Sequence, residues 1–358
     1  MTQRLFTPGP TPLPKAVLRR LTQEPPYHRG PEADAVFASV HEGLKEVFQT
    51  TMPVLVLSCS GTGGVEAVML NTLQAKDKVL VLNNGRFAQR WADMAQALGF
   101  TCVNIRVPWG EAIEPEFVEQ CLREHADCTA VWLVHSETST GVVSDLQAIA
   151  ACIRKHSDAL ICVDAISSMA VHELRMDEWG VDIVVSSSQK GLMSPAGLAM
   201  VALSERAWQQ RMRLPAVGSL YFDLLLARTA YERNRTPWTP AMLQVVALES
   251  ALNLLLEEGI QSVWQRHQER SEHIRTSLQN MGYSMFAKSP AHGLSAVYLP
   301  HQCMDIVDKL SLEYGITVAR GQDALAQSVF RIGHMGYYAE EDINYMLNAC
   351  RELIHVDS

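Results

Sequence analysis

Short runs of wholly apolar residues recur along the first two thirds of this chain, and each is followed by a stretch of helical character. Val54-Leu55-Val56-Leu57, Val79-Leu80-Val81-Leu82, Ala130-Val131-Trp132-Leu133-Val134, Leu160-Ile161-Cys162-Val163 and Ile183-Val184-Val185 are the runs. Between them, Val65, Val68, Met69, Leu70 and Leu73 recur at helical spacing, as do the segments from about Phe87 to Leu98 and from Leu146 to Ile153. A strand that is apolar on both faces needs cover on both faces. Strands alternating with helices therefore predict an α/β fold with a mainly parallel sheet between helices. Gly197-Leu198-Ala199-Met200-Val201-Ala202-Leu203 is a candidate antiparallel addition. In such sheets ligands sit beyond the carboxyl ends of the strands.

The flanks read differently. Residues 1–15 carry four prolines and predict an extended segment. From about residue 31, Val36, Phe37, Val40, Leu44 and Val47 mark an amphipathic helix. After about residue 240 a long helix opens at Pro240 and closes near Gly259. A second places Trp264, His267, Ser271, Ile274, Leu278 and Met281 on one stripe and stops at Gly282. Strands near 296–299, 316–319 and 329–332 follow, then a last helix with Ile343, Met346, Leu347, Cys350, Leu353 and Ile354 on its apolar face. This predicts a smaller C-terminal α/β domain. The expected division is 16–251 for a large domain and 1–15 with 252–358 for the small one.

Charge narrows the function classes. Lys plus Arg is 30 and Asp plus Glu is 39, a net charge of −9. That argues against nucleic acid as a partner and gives no polybasic signal for an anionic membrane. No apolar window is long enough to predict a transmembrane helix. The first residues lack a secretory h-region, and the last four match no retention or lipidation address. Eight cysteines form no C-x-x-C pair, which favours free thiols in a reducing cytoplasm over disulfides or zinc.

Four polar segments fall at strand ends. Ser58-Cys59-Ser60-Gly61-Thr62-Gly63-Gly64 joins a strand to a helix, so small residues and free helical N–H groups suit a phosphate; alone it reads equally as a plain turn. Asp164 ends a buried strand, which costs desolvation unless a cation or donors compensate; alone it reads slightly better as a helix cap. Ser186-Ser187-Ser188-Gln189-Lys190-Gly191 puts a lysine in a Ser/Gly-rich loop, a candidate depressed-pKa amine or, more commonly, a solvated one. His135-Ser136-Glu137-Thr138-Ser139-Thr140-Gly141 is dense in donors and acceptors, or a capped turn. Together they meet the needs of pyridoxal phosphate: a phosphate cradle, a hydroxyl donor for the ring oxygen, an acid for the pyridine nitrogen and a lysine for the aldehyde. Lys190 follows Asp164 by 26 positions.

The ordered motifs resemble the class V aminotransferases, fold-type I pyridoxal-phosphate enzymes, over nearly the whole chain. They include Leu5-Phe6-Thr7-Pro8-Gly9-Pro10, Ser60-Gly61-Thr62-Gly63, Asn84-Gly85-Arg86-Phe87-Ala88-Gln89-Arg90, the 135–141 segment, Val163-Asp164, Ser188-Gln189-Lys190 and Phe330-Arg331-Ile332-Gly333-His334-Met335-Gly336. The resemblance is nearest to the alanine–glyoxylate and serine–glyoxylate (serine–pyruvate) branch, which includes proteins labelled as a small subunit of soluble hydrogenase. It implies a large domain with a seven-stranded sheet and a homodimer with shared active sites.

The resemblance also implies residue roles. Lys190 carries the cofactor as a Schiff base and moves the substrate proton. Asp164 pairs with the ring nitrogen, and Phe87 stacks on the ring. Ser60, Gly61, Thr62 and Gln189 hold the phosphate, Thr138 the ring hydroxyl, and Ile166 lies among the cofactor contacts. Thr239 reaches the phosphate of the neighbouring subunit, and Arg331 grips the substrate carboxylate. The implied activity is ping-pong transfer from alanine or serine to glyoxylate or pyruvate. Two segments depart from the pattern or stay open. Arg320 replaces a small residue and either meets a second acidic group of the substrate or points to solvent. Tyr27-His28-Arg29 either tunes the pocket of a partner subunit or is a solvated loop. Two alternatives remain beside transamination. One is a cysteine desulfurase or β-eliminating relative, against which Gln189 stands where a histidine is usual. The other is a hydrogenase-associated subunit with incidental catalysis.

Overall fold

The structure is a computed structural model and describes residues 3–215 and 217–355. The chain ends read for targeting signals, residues 1–2 and 356–358, lie outside it. The apolar runs form a seven-stranded sheet. Its order is Val54–Leu57, Ala199–Leu203, Ile183–Ser187, Leu160–Asp164, Ala130–Val134, Lys78–Asn83 and Thr101–Arg106. Ala199–Leu203 runs antiparallel to both neighbours, and the other pairings are parallel. The strand predicted over 197–203 is thus present and in the predicted sense. Thr101–Arg106 was not predicted. It is an edge strand of half-exposed residues and lacks the continuous apolar run of the others.

Both faces of the sheet are covered. Leu80, Leu82, Val131, Leu133, Ile161 and Val163 pack with the helices Pro31–Phe48, Leu146–His156 and Met242–Glu258 on one side. Val79, Val81, Trp132 and Cys162 pack with Gly61–Thr72, Arg86–Ala97 and Glu205–Arg213 on the other. Gly64 shows how close the second layer lies, since a Cβ there would come 2.9 Å from both Ala199 Cβ and Val185 Cγ1.

The C-terminal part builds a three-stranded antiparallel sheet in the order Leu294–Tyr298, Val329–Gly333, Ala319–Arg320. The strand expected over 316–319 divides. Ile316–Thr317 pairs in parallel with Arg4–Leu5, and Ala319–Arg320 turns to join Val329–Gly333. The N-terminal segment thereby enters this part of the fold, and Phe6 is buried with Ile274, Leu278, Phe330, Ile332 and Met346. The expected division at 251/252 falls inside the helix Met242–Glu258. The strands Val54–Leu57, Ala130–Val134, Leu160–Asp164 and Ile183–Ser187 all release the chain on one side of the sheet, where the four polar segments meet.

Candidate active site

The loops at that side enclose a cavity of about 330 Å³, lined by Gly9, Ser60, Gly61, Thr62, Phe87, Arg90, Trp91, Ser136, Asp164, Ile166, Gln189 and Lys190, among others. Eight of the eleven site residues named from the sequence are on that wall. Each is placed by a local device. Ser60 caps the helix Gly61–Thr72, its Oγ accepting from Gly63 N at 3.4 Å. Asp164 is the last residue of its strand, beside Val134 and Val185. Lys190 ends the turn that follows Ile183–Ser187, and its Nζ donates to the carbonyl of Pro8. Gly9 makes room for that side chain: its φ is 125°, and a Cβ there would lie 2.5 Å from Lys190 Nζ.

The electrostatics follow from burial. Asp164 is pushed up to about 7 by burial, against the opposing hydrogen bonds from Ile166 N at 2.8 Å and Trp91 Nε1 at 2.9 Å. Lys190 is brought down to about 8, again chiefly by burial, with the Asp164 charge opposing the fall. An amine depressed this far is a usable nucleophile and base near neutral pH. A buried carboxylate with a raised pKa is best stabilised by a cation within reach.

Several buried acceptors at the cavity have no partner: Ser136 Oγ, Ser187 Oγ and Gln189 Oε1. Unpaired buried polar atoms are uncommon and mark a place for a ligand or water. The hydroxyls, the capped helix N-terminus, the carboxylate and the amine fit pyridoxal phosphate, whose phosphate, pyridine nitrogen and aldehyde match them in kind.

Three of the named residues lie off that wall. Thr138 is buried in the turn beside it, and its carbonyl accepts from Arg331 Nη1 at 2.9 Å; Ser136 of the same turn lines the cavity instead. Thr239 is exposed, in a separate hollow with Tyr221 and Trp238. Arg331 is buried, and burial draws its pKa down to about 10. Its Nε and Nη2 donate to the Arg320 carbonyl at 3.1 and 2.9 Å. Arg320 points its own guanidinium outward to Asp308 at 2.7 Å, which answers the open question about its direction. Tyr27 is exposed as well, with Arg29 reaching the Pro237 carbonyl at 3.4 Å.

Sequence reasoning missed three residues here. Trp91 holds Asp164. Arg90 reaches Thr62 Oγ1 at 3.4 Å and lies 4.9 Å over the Phe87 ring. Glu137 is fully buried and accepts from Phe87 N, Ala88 N and Ser139 N at 3.0 to 3.1 Å and from Ser139 Oγ at 2.6 Å. It fixes the turn that carries Phe87, and burial raises its pKa against those four donors. Arg90 and Glu137 stood inside quoted motifs, but nothing local separated them from solvated residues. Among the described residues no group of three or more His, Cys, Asp or Glu is placed to hold a metal, and no helix is long and apolar enough to cross a membrane.

Known proteins were compared with this arrangement. A family model described as Aminotransferase class-V matches residues 4–346. The chain is 38% identical over 348 residues to the soluble hydrogenase 42 kDa subunit of Anabaena cylindrica, covering 95% of this chain and 90% of that protein. It is 35% identical over 344 residues to the L-aspartate–glyoxylate aminotransferase of Paracoccus denitrificans, covering 93% and 86%. The crystal structure of an alanine–glyoxylate aminotransferase from Nostoc sp. superposes with a TM-score of 0.94 at 30% identity, covering 99% of this chain and 96% of that one.

Proposed function

Because this chain belongs to the class V aminotransferases, which are pyridoxal-phosphate-dependent transaminases, we propose that it moves the amino group of a small amino acid, alanine or serine, to a small 2-oxo acid, glyoxylate or pyruvate. One observation carries the reading: a depressed lysine, a raised aspartate and unpartnered hydroxyls converge on a single cavity. Glyoxylate is the acceptor named for both aminotransferase relatives, while their donors differ.

Bound in this cavity, pyridoxal phosphate supplies an electron sink for charge that develops at the donor's α-carbon. Lys190 holds the cofactor and afterwards serves as base and acid, taking the α-proton on Nζ and returning it. Asp164 would pair with the ring nitrogen. Phe87 and Ile166, both on the cavity wall, would flank the ring, and Thr138, in the turn beside that wall, would take its hydroxyl. Ser60, Gly61, Thr62 and Gln189 receive the phosphate, with Arg90 close enough to add a positive charge. Arg331 binds the substrate carboxylate through its planar fork. Thr239 contributes across a homodimer interface, where its exposure leaves it free to reach a neighbouring phosphate. Residues 16–251 form the cofactor-binding domain, and 1–15 with 252–358 form the smaller one. A cytoplasmic setting suits the eight cysteines, which are all free.

No observation favours a desulfurase. Gln189 precedes Lys190, and Cys303 is buried beside Asp305 and Lys309, off the cavity wall. A hydrogenase-associated role is compatible with the Anabaena relative's name, but the chemical machinery would then be idle.

The experiment is an absorption spectrum of the purified protein, repeated after alanine, serine or aspartate. A yellow band that one donor bleaches and glyoxylate restores supports transamination. A band that no amino acid bleaches refutes it.

A further inference from the structure

A second hollow begins at the turn that carries Ser136. It has a volume of about 450 Å³, and its wall includes His135, His172, Arg175, Trp179, Trp264 and His292. His135 and Ser136 are consecutive, yet Ser136 lines the active cavity and His135 lines this one. One peptide unit therefore separates the two. The His135 backbone N–H donates to the Asp164 carbonyl at 3.0 Å, which ties this turn to the end of the strand Leu160–Asp164.

The wall holds polar groups with nothing to bond. His135 is 4% exposed and Trp264 8%, and both His135 Nδ1 and Trp264 Nε1 are sealed from solvent without a partner. An indole N–H can only donate. His172 Nε2 accepts from His292 N at 3.0 Å, which puts the proton of that ring on Nδ1, and Nδ1 has no partner among the described residues. The His135 and His172 rings lie 5.5 Å apart. Arg175 links this pair to the indole, since it is three residues beyond His172 and its guanidinium lies 5.7 Å from the Trp264 ring centre. Trp132 and Trp208 also leave their indole N–H unpaired, but both are packed in the core between sheet and helices. Buried donors left unpaired cost stability, and several around one hollow mark a place for an acceptor.

We propose that this hollow is a second binding site, separate from the active cavity, for a small carboxylate. Its oxygens take the N–H groups that the wall leaves unused, on Trp264 and His172, and Arg175 supplies the opposite charge. Among the described residues on that wall, Arg175 is the one permanent cation, which suits one negative charge better than the two of a phosphate. Glu173 and Glu178, both exposed, take its Nε and Nη1 at 2.5 and 3.6 Å, and its Nη2 is uncommitted. Asp145, also on the wall, is engaged as the cap of the helix Leu146–His156, accepting from Ala148 N at 3.0 Å. The proposal stands apart from the transaminase reading, in which no residue of this wall has a part.

The test is calorimetric titration of the cofactor-loaded protein with benzoate, and with benzamide as its uncharged counterpart. Arg331→Gln removes the arginine assigned to the substrate carboxylate, and its yellow band reports that the variant is folded. Benzoate should still bind to that variant, at least about tenfold more tightly than benzamide. Adding Trp264→Phe to it keeps a ring but deletes the N–H, and should weaken benzoate about tenfold or more. Trp264→Phe alone should hold or raise the thermal midpoint of the benzoate-free protein, because it removes an unpaired buried donor, and a damaged core does not do that. Failure of benzoate to bind the folded Arg331→Gln protein overturns the proposal, because any site is then the active cavity. Equal affinity for benzoate and benzamide overturns it, as does an affinity that Trp264→Phe leaves unchanged. A midpoint that Trp264→Phe lowers would mean that the indole N–H is already satisfied, and overturns it too.

Discussion

Trp91 donates its indole N–H to Asp164 Oδ2 at 2.9 Å, while the other carboxylate oxygen takes the N–H of Ile166 at 2.8 Å. The side chain is clamped at both ends before any ligand arrives. Burial holds its pKa up near 7, and these two bonds, together with the Lys190 charge, oppose the rise. Trp91→Phe removes one of them, so the pKa of Asp164 should rise and its ionised fraction fall. In the cofactor-loaded enzyme, the acid limb of the pH–rate profile should move to higher pH, with kcat lowered about tenfold at neutral pH. The limb separates this effect from a packing defect at the buried indole, which would lower the rate without moving the titration. An unmoved limb would show that the indole only fills space.

Lys190 should capture cofactor with the pH dependence of a depressed amine. Burial brings it to about 8, so the neutral form is well populated at pH values where an ordinary lysine is protonated. The rate at which cofactor-free protein develops its yellow band should climb about tenfold per pH unit below 8 and flatten above it. Stopped-flow absorbance between pH 6.5 and 9.5 measures this. A rate still climbing at the top of that range would mean that Lys190 keeps an ordinary pKa. Lys190→Ala should show no covalent band at any pH.

Arg331 is the third group whose change should be diagnostic. Its N–H groups are taken by the carbonyls of Arg320 and Thr138 and by Gln322 Oε1, and of these only the Gln322 bond is to a side chain that can swing away. Arg331→Lys cannot span the Arg320 carbonyl with two donors, so it loses both orientation and the planar fork. The KM of the amino donor should rise about tenfold or more, with a smaller fall in kcat, as steady-state kinetics will measure. An unchanged KM would remove Arg331 from substrate binding.

What could be read in advance follows from where the information sits. That Lys190, Asp164 and the Ser60–Thr62 turn meet on one cavity wall was legible because each lies in a short local motif at the end of an apolar run. Trp91 was not legible, because its importance is a contact with a residue 73 positions away, made from the interior of an ordinary helix. Glu137 looked like one more polar residue in a turn, and only the fold brings the N-terminus of the Arg86–Ala97 helix against it. The edge strand Thr101–Arg106 hid for a related reason: with solvent on one flank it mixes Thr, Asn and Arg with its apolar residues. The direction of Arg320 was open because its partner Asp308 is on a separate helix.

Acid should unfold the cofactor-free protein before most of its carboxylates matter, because several histidines are buried as neutral rings. His172 Nε2 accepts from His292 N at 3.0 Å, and the two rings stack at 4.4 Å, with His135 at 5.5 Å from His172. His267 pairs Nδ1 with the Val263 carbonyl at 2.7 Å and accepts from Gly336 N through Nε2 at 2.9 Å, a pattern that only the neutral ring satisfies. Burial lowers His41 and His135 to about 4, and takes His172, His267 and His334 well below the ordinary value. Unfolded, each titrates near 6.5. Above that pH neither state binds the proton, and the full stability is present. As pH falls from about 6.5 toward 4, the unfolded chain takes up protons that the folded one refuses, and stability drops with each unit. Asp164, Glu137 and Glu249 oppose this, since their raised pKa values let the folded state take protons first. They are three groups against six histidines, because burial lowers His292 as well, so the histidines prevail. The thermal midpoint should therefore fall steeply between pH 7 and pH 5, and differential scanning calorimetry at half-unit steps measures it. A midpoint that stays level over that range would mean that the histidine cluster is hydrated or already charged in the folded protein.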